Sequence, residues 1–442
     1  MTACVSDAAR PIHLNLFAFA CGHHAAAWRA PGPSVGRLGD IACWGELART
    51  AERGCLDAIF LADGQSAGLG GVGRGPLWFL EPITTLTALA RATEHIGLVT
   101  TVSSTFWDPF HAARLLASLD HISGGRAGVN VVTSMTDEEA RNHGMDRLPG
   151  HDERYARAAE FITVVEQLWE SWPIEAIVAD PAGAYVDETR LRAVGHRGRW
   201  FGVAGPLNVP RPPQGRPVLF QAGASVPGRE LAARHAEGIY AVAWDLQSAR
   251  AYRDDIRTRT VAMGRDPDGI AVMPGLVTYV ASTEREARAQ QRALNELLPV
   301  EDSLRKLSFF VGADTSQWNL DAPVPPLPPL EAFEGPKGRY ATVLRIIAST
   351  NPTARELLGL LAAGGGHATF VGTPESIADE IERWVDGGGA DGFNLMPQTL
   401  PGGIDDFVDQ VVPVLQQRGR LRRDYAGQTL RSRSHLGSSK RP

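Results

Sequence analysis

Eight short runs rich in aliphatic and β-branched residues recur along this chain. Between most of them lie longer stretches whose apolar residues return every three or four positions. That alternation is what parallel strands joined by crossover helices require. The runs predict strands near 12–18 (IHLNLFA), 56–62 (LDAIFLA), 96–102 (IGLVTTV), 126–132 (RAGVNVV), 217–221 (PVLFQ), 238–243 (GIYAVA), 275–281 (GLVTYVA) and 391–396 (DGFNLM). Helices are expected at 40–53, 81–94, 109–121, 151–170, 228–237, 246–262 and 404–417. Within 151–170, for example, Phe161, Val164, Val165 and Leu168 form one stripe while Arg154, Arg157 and Glu160 can face water. Eight βα units in one chain favour a closed (β/α)8 TIM barrel over two open sheets, because closure removes exposed strand edges. The expected fold class is α/β, a single barrel domain over 1–442 with insertions.

Two stretches break the repeat. Residues 173–215 are rich in Gly, Pro and Arg, and the connection between the seventh and eighth strands, 282–390, is the longest, with its insertion placed at about 282–345. It holds DAPVPPLPPLEAFEGPKG at 321–338, too proline-dense for regular helix or central strand and expected to cross the surface as extended chain. A βα connection leaves the rim where barrel active sites sit, so this segment is expected either to cover the pocket as a lid or to form a docking or dimer-contact arm. The basic tail 418–442 (RGRLRRDYAGQTLRSRSHLGSSKRP) is expected to be an extended or disordered arm.

With 43% hydrophobic and 21% charged residues and a formal net charge of −6, the chain lacks the spread of positive charge that holds nucleic-acid phosphates. Cys4, Cys21, Cys43 and Cys55 show no metal spacing or secreted framework and read as free thiols. No basic cap with an apolar run opens the chain, and no stretch approaches the roughly 20 apolar residues of a membrane span. A cytoplasmic protein without a membrane partner is expected.

In a barrel, polar residues at the carboxyl ends of strands are the candidates for chemistry. Here those are Asp63, Thr101, Ser103, Asn130, Thr133, Ser134, Gly223 and Ser225. Asp63 follows an apolar run and would need donors, which a ligand N–H or hydroxyl supplies, or else it is a turn or N-cap aspartate. His151 and Tyr155 lie four apart on one helix face near its N-terminus, a placement that suits a phosphate as well as simple packing. In QAGASVPGRE a strand runs into small residues and then a helix, so Ser225 sits at a helix entrance, as an anion ligand or an ordinary cap. Common phosphate-binding barrels place this site after the last two strands, so its position here marks a different cofactor arrangement.

His23 and His24 in ACGHHAAAWR follow the first strand and are candidates for acid–base work, or for purely local hydrogen bonds. The remaining histidines, His143, His151 and His367 among them, are scattered without zinc-ligand spacing, so no metal is expected. GLGGVGRG at 68–75 lacks the βαβ setting of a dinucleotide fingerprint, and AAGGGH at 362–367 and DGGGAD at 386–391 read as loop and helix-stop glycines.

Taken together, GHHAAAWR, FLADGQ, IGLVTTVSSTFWDPFHAARLLASLDHISGGRAGVNVVTS, GHDERYARAAEF, the QAGAS and GRELAARHAEGIY pieces, FVGTPESIADEI and DGFNLMPQTLPGGIDDFVDQVVPVLQQRG run over about 20–420. In that order they resemble the nitrilotriacetate monooxygenase, pristinamycin synthase and dibenzothiophene-sulfone monooxygenase group of the bacterial luciferase-like superfamily. The resemblance implies the oxygenase component of a two-component flavin-dependent monooxygenase, a homodimer or dimer of dimers. It would take FMN as FMNH2 from a separate NAD(P)H:FMN reductase and use O2 to oxygenate a small organic substrate through a peroxyflavin. On the matching motifs Asp63 and Thr101 would contact the flavin, Ser103 and Asn130 would lie near the ring, and His151, Tyr155 and Ser225 would hold the phosphate. Ser134 and Gly223 complete the cofactor set, and His23 and His24 are the catalytic candidates. Phe17, Phe19, Trp28, Phe106 and Trp107 could line a dry pocket. Phe106 and Trp107 stand where the group commonly has Tyr and Asn, and Cys21 precedes the GHH turn, so substrate identity does not transfer. An F420-dependent oxidoreductase of the same fold, or a non-catalytic flavin-binding protein, are the competing expectations.

Overall fold

A computed structural model describes residues 10–32, 35–67, 75–76, 80–333 and 337–434. Nine strands form the main sheet: β1 (His13–Ala18), β2 (Ala58–Leu61), β3 (Gly97–Ser103), β4 (Ala127–Val132), β5 (Val218–Gln221), β6 (Gly238–Ala241), β7 (Ala271–Val280), β8 (Ala368–Gly372) and β9 (Gly392–Leu395). Eight of them close a parallel ring in the order β1, β2, β3, β4, β5, β6, β7, β9 and back to β1. The protein is a (β/α)8 TIM barrel, with β8 lying outside the ring.

Strand β7 accounts for the extra member. Its Ala271–Pro274 pairs with β6, Gly275 and Leu276 pair with β9, and Leu276–Val280 pairs with β8. The sequence reading places this strand at 275–281, four residues short at its start, where Pro274 cannot donate to a ladder. The proline is accommodated where pairing passes from one neighbour to the next.

Alternation along the strands sorts the core. Leu14 and Leu16, with Phe393 and Leu395, pack outward under the helices, while Phe17, Phe60, Val99, Phe220 and Met273 belong to a separate buried cluster that fills the barrel. The interior also holds a buried amide pair: Asn15 Nδ2 donates to Asn394 Oδ1 at 3.0 Å, and Asn394 Nδ2 donates to the Met273 carbonyl at 2.9 Å.

The helices start where the sequence supplies caps. Asp108 accepts from the N–H groups of Phe110 and His111 ahead of Pro109–Ser123, and Asp245 accepts from Ser248 ahead of Leu246–Ala262. The connection after β7 is largely helical, although the sequence reading named no helix there: it contains Glu284–Glu296, Val300–Val311, Lys337–Thr350 and Ala354–Ala362. These bury Leu304, Leu307, Tyr340, Ile346 and Leu357 in a cluster of their own. The proline-dense stretch lies over them without helix or strand from Pro325 to Pro329, and Tyr340 Oη donates to the Pro328 carbonyl at 2.6 Å.

The tail expectation is corrected up to Ser434; the remainder, 435–442, falls outside the described residues. Instead of leaving the surface, the tail packs against the amino ends of the strands. Tyr425 Oη donates to the Leu56 carbonyl at 2.6 Å, Leu430 is buried, and Arg422 pairs with the buried Asp57. The glycine run at 68–75 also lies outside the described residues apart from Gly75. No helix among the described residues is long and apolar enough to cross a membrane.

Candidate active site

All ring strands are parallel, so their carboxyl ends share one rim, and a cavity of about 690 Å³ opens there. Of the candidates named from sequence, His23, Asp63, Thr133, Ser134, Tyr155 and Gly223 line it.

The β5 side is shaped by glycine. Ser225 caps the helix Val226–His235, its hydroxyl accepting from the Gly228 N–H at 3.3 Å. Tyr155, from the helix His151–Trp169, brings its hydroxyl against this turn: a β-carbon on Gly223 would lie 2.7 Å from Tyr155 Oη and one on Gly228 would lie 3.0 Å from it. Tyr252 Oη donates to the Gly223 carbonyl at 3.2 Å and fixes the turn. His151 is exposed, hydrogen-bonded to Asp152 at 2.9 Å, with its ring 4.9 Å from that of Tyr155. It flanks the cluster without lining the cavity.

Thr101, Ser103 and Asn130 are buried side chains of the barrel wall, brought together by the register that sets Thr101 beside Asn130. Asn130 Nδ2 donates to Thr101 Oγ1 at 3.2 Å, while Asn130 Oδ1 is buried without a protein partner. Ser103 Oγ lies 2.8 Å from Ser134 Oγ. Ser134 holds φ +58°, a left-handed conformation that a serine adopts only under constraint. The neighbouring bonds from Ser104 N to the Val132 carbonyl and from Thr105 Oγ1 to the Thr133 carbonyl, both 2.9 Å, hold this turn. Asp63 accepts from Gln65 Nε2 at 3.0 Å; burial, and then the nearby Glu81 and Glu139, push its carboxyl above the usual range.

The two histidines after β1 part company. His23 lines the cavity and donates from Nε2 to the Phe17 carbonyl at 2.9 Å, and burial holds it down at about 4. His24 is buried outside the cavity wall, its Nε2 on Asn295 Oδ1 at 2.9 Å and its Nδ1 accepting from Ala26 N at 3.1 Å. The structure thus takes His24 out of the rim cluster and makes it a brace between the β1 loop and the insertion. Of the expected pocket aromatics, Phe17 and Phe19 line the cavity; Trp28, Phe106 and Trp107 are not among the described lining residues. Phe106 stacks on His143 at 4.3 Å, and Trp107 packs against the core beside the strands.

Sequence reasoning missed a further part of the wall. Tyr240, on β6, lies with its Oη 3.0 Å from His367 Nε2 and 3.2 Å from Met396 Sδ. Burial drives the tyrosine's ionisation well above its ordinary value and keeps His367 neutral. Lys306 and Arg339 reach the cavity from the insertion, and Gly364 and Gly365 line it too. The run AAGGGH that read as helix-stop glycines does stop the helix Ala354–Ala362, and it also clears space: a β-carbon on Gly365 would sit 2.6 Å from Arg339 Nη1. That run was the available signal; nothing in the sequence pattern turned Lys306 inward rather than outward.

A parallel barrel with a cavity on its carboxyl rim, lined by polar and apolar side chains, has the form of a barrel enzyme. Residues 15–391 match the family model described as luciferase-like monooxygenase, and the chain belongs to that family. It is 43% identical over 433 residues to N-acetyl-S-(2-succino)cysteine monooxygenase of Bacillus subtilis (strain 168), covering 98% of this chain and 97% of that one. It is 44% identical over 429 residues to component A of the nitrilotriacetate monooxygenase of Aminobacter aminovorans, covering 94% of each. Among solved structures it superposes with a TM-score of 0.85 on a riboflavin lyase crystallised with modified FMN and riboflavin, at 30% identity, covering 98% of this chain and 96% of that one. The chain is thus of the monooxygenase kind.

Proposed function

We propose that this chain is the oxygenase component of a two-component monooxygenase. In this reading it receives reduced FMN from a separate NAD(P)H:FMN reductase and, with O2, places one oxygen atom on a small organic substrate while the other leaves as water. The observation that carries the reading is the turn after β5, where Gly223 and Gly228 leave the Tyr155 hydroxyl and the start of a helix facing one space. Backbone N–H groups and hydroxyls in that arrangement suit a phosphate ester.

The residues present fit a flavin. Tyr155, Ser225 and, at the margin, His151 would hold the phosphate, with Gly223 giving the clearance a β-carbon would remove. Deeper in, the unpartnered Asn130 Oδ1 is a buried acceptor that a ring N–H would satisfy, and Thr101, Ser103 and Ser134 form the polar wall beside it. When bound, reduced FMN supplies two electrons and activates O2. The chain's own part is to orient, to exclude water with Phe17, Phe19, Val132 and Met396, and to keep cavity groups in fixed protonation states. His23, neutral at ordinary pH, holds its proton on Nε2 against the Phe17 carbonyl, leaving Nδ1 as the acceptor. Asp63 is a carboxyl that retains its proton to higher pH than an exposed one and so bonds a polar ligand group.

The test is a coupled assay with an unrelated FMN reductase, NADH and O2. Nitrilotriacetate and N-acetyl-S-(2-succino)cysteine, the compounds that name two relatives, are included among the trial substrates. Oxygenated product that carries label from 18O2 is expected. Peroxide as the sole product with every substrate sinks the oxygenase reading, and turnover without O2 points to hydride transfer instead.

A further inference from the structure

We propose that the substrate carries a carboxylate group, received by Lys306 and Arg339 on the wall that the insertion after β7 contributes to the cavity. The inference rests on the monooxygenase reading above and adds the substrate class and the residues that select it.

Both cations line the cavity, and neither has a carboxylate partner among the described residues. That is unusual in a chain where Arg305, next to Lys306 on Val300–Val311, pairs with Asp302 at 3.2 Å and turns to the outer surface. Arg339 uses Nη1 on the Gly365 carbonyl, which leaves the rest of its five-donor fork for a ligand. Gly365 permits that approach only because it has no side chain. Burial lowers the pKa of each cation and the neighbouring Arg339 lowers Lys306 further; Tyr240 offsets part of the effect on Arg339, and no carboxylate among the described residues acts on either. Two like charges facing one cavity are stabilised by an anion between them.

The wall is distinct from the cluster assigned to the flavin phosphate. Arg339 acts on Lys306 and Tyr240 acts on Arg339, whereas Tyr155 lies against Gly223 and Gly228, Ser225 accepts from Gly228 and Tyr252 donates to Gly223. Phe310, Leu361 and Met396 bound the space beside the cations with apolar surface, so a compact substrate would present a carboxylate to one side and a hydrocarbon or thioether body to the other.

The test is calorimetric titration of the full chain, with and without oxidised FMN, using nitrilotriacetate, N-acetyl-S-(2-succino)cysteine and the methyl esters of both. Lys306→Ala, Lys306→Arg and Arg339→Gln are compared with wild type, and circular dichroism verifies folding. At least one acid is expected to bind wild type more tightly than its ester. Lys306→Ala and Arg339→Gln should each weaken that acid about tenfold or more, the scale of a charge-assisted hydrogen bond. Lys306→Arg should retain most of the affinity, and FMN affinity should stay unchanged in all three variants. Failure of both acids to bind, equal binding of acid and ester, or unaltered acid affinity in the variants overturns the proposal. Loss of FMN affinity in the variants also overturns it, by assigning the cations to the flavin phosphate. A wild-type chain that binds the acids through Lys306 yet never binds FMN keeps the proposal and sinks the flavin reading.

Discussion

The Tyr155 hydroxyl stands 2.7 Å from the point that a β-carbon on Gly223 would occupy, with Gly228 Cα 2.9 Å from the same point. A single methyl group would therefore fill the space between them. Gly223→Ala is expected to weaken FMN binding at least tenfold, because Gly228 is backbone and cannot swing aside. Tyr155→Phe and Ser225→Ala, which only remove hydroxyls, should each weaken it by about 1 kcal/mol. Fluorescence titration measures all three, and unchanged curves would count against the phosphate assignment.

Stability should rise with pH between about 4 and 6.5. Burial holds His23 and His24 at about 4, so in that window the unfolded chain takes up protons that the fold excludes. Each contributes about 3 kcal/mol above pH 6.5, lost as pH falls toward 4. Melting temperatures should climb across this range and level off above it, with a shallower climb in His24→Gln. A flat wild-type profile would contradict the burial of these imidazoles.

Asp57 is held at the opposite pole of the barrel. Burial alone would raise its carboxyl, but Arg422, His13 and the Leu14 N–H outweigh it and bring it down to about 2. Its stabilisation is present above the unfolded value of about 3.9 and is lost as pH falls through 2. Arg422→Ala removes the buried carboxylate's arginine partner, leaving His13 and the Leu14 N–H, and should cost about 2–3 kcal/mol in urea unfolding. A cost under about 0.5 kcal/mol would mean that the tail is not fastened there.

Ser134 stores strain at φ +58°. Ser134→Ala loses the bond to Ser103 and keeps the strain, whereas Ser134→Gly loses the bond and relieves it. The glycine variant should be the more stable of the two by about 0.5–1 kcal/mol. Equal melting temperatures would show that the turn is not strained.

The barrel was legible because its strands announce themselves by composition and its helices by period and caps. Asp63, Ser134, Tyr155 and Gly223 could be placed on the rim, since parallel strands force their carboxyl ends together. Adjacent residues defeated the same reasoning: His23 and His24 share a motif, yet a turn of the loop sends one to the cavity and the other to Asn295. Lys306 and Arg339 were hidden for another reason. Their helices pack on one another rather than on the strands, so no strand end marked where their side chains would arrive. The tail misled by composition, because its arginines are spent on buried acceptors such as Asp57 and Glu237 rather than on water.

Strand β7 shares its ten residues between closing the barrel and carrying β8, and the chain between those two strands holds the whole cationic wall. The segment leaves β7 and returns as β8, which pairs with Leu276–Val280, beyond most of the stretch whose pairing with β6 and β9 seals the ring. Transplanting residues 281–367 between kindred barrels should leave ring closure untouched, because the pairings that seal it lie at 271–276. Fastenings to re-cut would include His24 on Asn295, the Ala25 N–H on the Ala362 carbonyl, Tyr240 on His367 and Arg345 beside Asp245. New substrate preferences could arise by exchange of one loop while the oxygen chemistry beneath stays as it was.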